Sequence, residues 1–124
     1  MRQITAQLAF DALKDVVEKM GSDFVYQSPG NYGCVYYHNG GSCGVGKALI
    51  ALGMPIEEVI KLDSSADAGG PILACVLHEI VPYIDYGASQ VFNAFQSHQD
   101  ALFDYGSALE NAENALENFL IRKD

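Results

Sequence analysis

The chain has 124 residues, 49% apolar and 10% aromatic, enough for one domain, 1–124, with a sizeable core and too apolar for a disordered segment. Sixteen acidic residues against seven basic ones give a net charge of -9, and only Lys47 and Lys61 are basic between Met20 and Ile121. This balance argues against nucleic-acid binding, which rests on clustered Lys and Arg, and the longest apolar stretch, Pro71 to Ile84, is too broken and too short to cross a membrane.

From Gln3 to Met20, the residues Ile4, Leu8, Ala12, Val16 and Met20 recur at helical spacing beside Ala9, Leu13 and Val17, which predicts a helix capped by Gly21. With Phe10 at its edge, the apolar arc covers more than half of the circumference. An arc so wide suits either complete burial or a homodimer formed through this helix, and it makes Phe10 a candidate contact residue. Two β-rich runs follow, Phe24 to Gln27 and Cys34 to Tyr37, joined by the turn-forming SPGNYG segment, and they predict a hairpin.

Val45, Ala48, Leu49 and Leu52 mark a short helix ending at Gly53, and Pro55 opens another through Leu62. A loop over DSSADAGG leads to a helix from Pro71 to about Ile80, after which Pro82 and the apolar piece Tyr83 to Tyr86 read as a third short strand. Ala88, Val91, Phe92, Phe95 and Leu102 form one stripe of a longer helix in which Gln99 also points inward and must find partners, while Asp100 points out. In the last helix, Ser107 and Glu110 have the form of a capping box, and Leu109, Ala112, Leu116, Phe119 and Leu120 line the core face. The expected fold is therefore α+β and mostly helical: an N-terminal helix, a hairpin, several short helices and two longer C-terminal ones.

Three arrangements invite a chemical reading. Gly41-x-x-x-x-Gly46-Lys47 spells a phosphate-binding loop, but Ala48 stands where a magnesium-binding hydroxyl is needed and no βαβ array surrounds it. Cys43, at a helix N-terminus, has the setting of an activated thiol, with His38 or His78 as base, yet no orienting third residue can be assigned. His38, Cys43, Cys75 and His78 supply four ligands of zinc-binding type, but at spacings looser than those of a zinc finger. Core packing of the cysteines and ordinary polar roles for the histidines fit these patterns better, so neither cofactor nor metal is expected. An odd cysteine count and an N-terminus interrupted by polar residues point to reduced thiols and a cytoplasmic location.

Cys43-Gly-Val45-Gly46-Lys-Ala48-Leu49-Ile-Ala-Leu52-Gly53 fits the pattern C-x-V-G-x-A-L-x-x-L-G, and Gln96-Ser-His-Gln99-Asp100 precedes Tyr105-Gly106-Ser-Ala108-Leu109, like Q-x-x-Q-D before W-G-x-A-L. In both features the chain resembles a group of small uncharacterised proteins of actinobacteria and their bacteriophages, although Tyr105 replaces the Trp. The resemblance implies a phage-associated accessory protein, working in the host cytoplasm if phage-encoded, and carries no activity with it. Since it spans Val45, Gly46, Ala48, Leu49 and Leu52 without requiring Lys47, it favours a turn into a packed helix over a phosphate loop.

The leading expectation is a non-enzymatic protein that binds another protein, such as a host factor. Asp100, Asp104, Glu110, Glu113 and Glu117 are the first surface to consider, because the last helix turns its acids away from its apolar face. The alternatives are an acidic mimic of nucleic acid that occupies a host or defence protein, and an enzyme built on Cys43.

Overall fold

A computed structural model describes residues 3–25, 44–64, 77–101 and 103–123. Among them there are six helices: α1 (Ala6–Met20), α2 (Gly44–Ala51), α3 (Ile56–Ser64), α4 (Leu77–Ile80), α5 (Tyr86–Asp100) and α6 (Tyr105–Lys123). No strand occurs among the described residues, which are mostly helical and all-α, and this corrects the α+β expectation.

Local chemistry sets the ends of α1. Thr5 Oγ1 accepts from the Leu8 amide at 3.2 Å, and Gly21, at φ +97°, donates its amide to the Val17 carbonyl. Ala9, Phe10, Leu13, Val16 and Val17 are buried together as α1 packs on α2, α5 and α6. Most of the wide apolar arc is thus covered within the chain, with Leu8 and Met20 half-buried. Phe10, 9% exposed, belongs to this core, which removes it from the candidate contact surface.

The corrected β elements have physical explanations. Phe24 and Val25 are the described part of the first hairpin run, and they lie in a non-strand segment; residues 26–43, which hold the rest of the hairpin, fall outside the described residues. The Phe24 carbonyl accepts from the Tyr105 amide at 2.8 Å, and the Ser22 carbonyl accepts from the Gly106 amide at 2.9 Å. These carbonyls therefore serve two of the donors that a helix N-terminus leaves unpaired, in place of a sheet ladder.

The expected third strand at 83–86 is reduced to one parallel bridge between Ile4 and Ile84. Its bonds run from the Ile4 amide to the Tyr83 carbonyl and from the Asp85 amide to the Ile4 carbonyl. Extension stops there because Asp85 caps α5, its Oδ1 accepting from the Ala88 amide at 2.8 Å. The Tyr83 hydroxyl donates to Glu58 Oε2 at 2.8 Å and ties α3 to this turn, while burial and then the Glu58 carboxylate push the Tyr83 pKa up to about 12.

Helices α5 and α6 form an antiparallel hairpin. A Cβ added to Gly87 near the start of α5 would lie 2.7 Å from the Phe119 ring near the end of α6, and Asn111 Nδ2 donates to the Ala94 carbonyl at 2.8 Å midway along the pair. The ring of Tyr105 fills the closed end of the hairpin, fully buried between Phe24 at 4.9 Å and Phe95 at 5.2 Å. One cluster of buried side chains runs through α1, α2, α5 and α6 and also takes in Val59 and Leu77. No helix among the described residues is long and apolar enough to cross a membrane.

Candidate functional site

The two segments that carry the motif resemblance meet in the core. Gln99, fully buried as its place in the α5 stripe predicts, accepts at Oε1 from the Gly44 amide at 2.7 Å and from the Tyr105 hydroxyl at 3.3 Å. Gly44 opens α2, and any side chain there is obstructed: a Cβ would meet the edge of the Phe95 ring and lie 3.2 Å from Gln99 Oε1. Val45, Ala48 and Leu49 are buried on α2, and Ala108 on α6, so the described residues of both motifs converge on one packing unit.

That geometry bears on the phosphate-loop spelling. Gly46 and Lys47 lie inside α2, and burial lowers the pKa of the Lys47 ammonium. The Gly44 amide, the donor that an anion at this helix start would seek, is occupied by the Gln99 side chain. Gly41 lies outside the described residues.

Cys43, His38 and Cys75 also lie outside the described residues, so their pairing with His78 is not placed. His78 itself is held in α4: its backbone amide donates to Ser89 Oγ at 2.8 Å, and its ring meets that of Tyr86 edge-on at 5.1 Å. Among the described residues no three His, Cys, Asp or Glu side chains are grouped to hold a metal ion.

The acidic candidates divide by role. Asp104 caps α6, its Oδ1 accepting from the Ser107 amide at 2.9 Å. The cap therefore lies three residues before the expected Ser107 box, and Ser107 contributes its amide as donor. Asp100 is the last residue of α5. Glu110, Glu113 and Glu117 are exposed along one stripe of α6, and Leu116 and Ala112 on the other side are buried. Leu120 departs from its expected core position and is exposed.

Beside this stripe lies an open cleft of about 270 Å³ between the end of α5 and the first half of α6, lined by His98, Ser107, Glu110, Asn111, Glu113 and Asn114. The Asn111 amide is pinned by its bond to the Ala94 carbonyl. His98 Nδ1 is buried without a hydrogen bond, and its ring lies edge-on to Phe103 at 4.9 Å. Phe103 is 51% exposed and reaches the cleft through this contact with His98. Periodicity marks Glu110 and Glu113 as outward but leaves out His98, Ser107, Asn111, Asn114 and Phe103. The short connection between α5 and α6 is the signal that brings them together, since residues equidistant from a tight helical turn face each other.

No family model, curated protein or solved structure matches the chain.

Proposed function

We propose that this protein is a small phage-associated accessory protein that acts in the host cytoplasm by binding another protein, with no chemistry of its own. The observation that carries this reading is the construction of α6. Its inner side is anchored by Tyr105, Ala108, Ala112 and Leu116, and its outer side presents Glu110, Glu113 and Glu117 on that rigid support. A preordered charged surface loses little conformational entropy when a partner docks. The phage association rests on the motif resemblance.

From Glu110 to Glu117 the carboxylates span about 10 Å of helix, only about three base-pair steps of a duplex. A surface of that length suits one docking segment of a protein better than it imitates a nucleic acid.

The triple variant Glu110→Lys, Glu113→Lys, Glu117→Lys should stay folded, since each exposed charge change costs within about 0.5 kcal/mol. It should lose the protein that wild type captures from host lysate, whereas Cys43→Ser should keep it. Capture of the same protein by the triple variant, with unchanged salt sensitivity, would reduce α6 to a solvated face. Loss of the biological effect in a folded Cys43→Ser protein would instead favour the enzyme built on that thiol.

A further inference from the structure

Resting on this protein-binding reading, we infer that the cleft between α5 and α6 receives an arginine side chain from a basic segment of the partner. The lining residues offer acceptors in excess: the carboxylates of Glu110 and Glu113, the Ser107 hydroxyl, the Asn114 amide, and Asn111 Oδ1, whose companion Nδ2 is committed to the Ala94 carbonyl. No Lys or Arg occurs in the sequence between Lys61 and Arg122, so no lysine or arginine lines the cleft. Asp11 on α1 differs, since its carboxylate accepts from Gln7 Nε2 at 3.0 Å and its helix interleaves Lys14 and Lys19 with its acids.

A metal ion is the wrong size of cation for this arrangement. Glu110, Glu113 and His98 share the cleft, yet they do not converge as a metal-holding group. A planar guanidinium carries five donors spread over a fork, which matches acceptors distributed along a cleft wall. Phe103 adds the second element of such recognition, because an exposed aromatic face attracts a cation through its ring quadrupole. Arginine stacks on such a ring better than lysine does.

The test is an NMR titration of the whole chain, at physiological ionic strength, with a short glycine-spaced peptide carrying two arginines and with its lysine counterpart. The arginine peptide should shift the amide resonances of His98, Phe103, Ser107, Asn111 and Asn114 and leave those of Asp11, Asp15 and Glu18 in place. The lysine peptide should bind roughly threefold to tenfold more weakly. Glu110→Gln with Glu113→Gln should weaken the arginine peptide by about tenfold or more, and Phe103→Ala by several-fold, with the other resonances of each variant unmoved.

Shifts spread evenly over all acidic faces, or equal affinity for the two peptides, would overturn the arginine assignment. If that happened while the lysine-substituted α6 still lost its captured protein, the functional reading would stand without it. Arginine-peptide binding in the cleft with no α6-dependent protein capture would uphold the assignment and sink the functional reading alone.

Discussion

Tyr105→Ala should lower the stability of the fold by about 3–5 kcal/mol, the range for deleting a large buried aromatic side chain. The ring is completely buried, with Phe24 and Phe95 packed on it at 4.9 and 5.2 Å, and its amide holds the segment after α1 through the Phe24 carbonyl. Removing it leaves a void where α1, α5 and α6 come together. Tyr105→Phe keeps the ring packing and removes the hydroxyl that donates to Gln99, so it should cost about 1 kcal/mol. Urea denaturation of the two variants separates these contributions. An alanine variant less than about 1 kcal/mol below wild type would mean that Tyr105 is not the keystone of this junction.

Gln99→Ala is the second large effect, at about 2–4 kcal/mol. One oxygen serves two donors, the Gly44 amide at 2.7 Å and the Tyr105 hydroxyl at 3.3 Å, and truncation removes both bonds from the core. The void adds to that desolvation penalty, because Phe95, which shares the space around Gly44 with Gln99, cannot refill it without leaving its own contacts. Hydrogen exchange supplies an independent readout: the Gly44 amide should exchange far faster in Gln99→Ala, with the α1 amides accelerated by no more than the loss of global stability accounts for. An unchanged denaturation midpoint together with unchanged exchange at Gly44 would contradict the buried bond.

These two residues also mark how far the sequence is legible. Gln99 stands in the apolar stripe of α5, so its burial and its need for partners follow from helical periodicity alone. The α1 helix and its Gly21 cap follow in the same way. Periodicity does not name the partner, and Gly44, 55 positions away, is invisible to any local pattern.

The misread segments share one cause. Phe24, Val25, Tyr83 and Ile84 are residue types that favour strands, but β propensity is weak beside tertiary demands. Phe24 gives its carbonyl to α6, and Asp85 turns the chain into α5 after a single bridge. At the start of α6 the competing signals are Asp104 and Ser107, either of which can cap. The seating of Tyr105 in the core favours the earlier one. The cleft is legible only once α5 and α6 are recognised as an antiparallel pair, because His98 and Glu110 belong to different helices and neither is singular in its own.

The central claim is that the partner is held on the outer face of α6 and the end of α5. Hydrogen–deuterium exchange of the protein, alone and bound to the partner it captures, tests that claim most directly. New protection should fall on residues 98–117, with residues 44–51 of α2 and 6–20 of α1 exchanging as they do in the free chain. Protection confined to α1, or to the segment around Cys43, with residues 98–117 unchanged, would contradict the account.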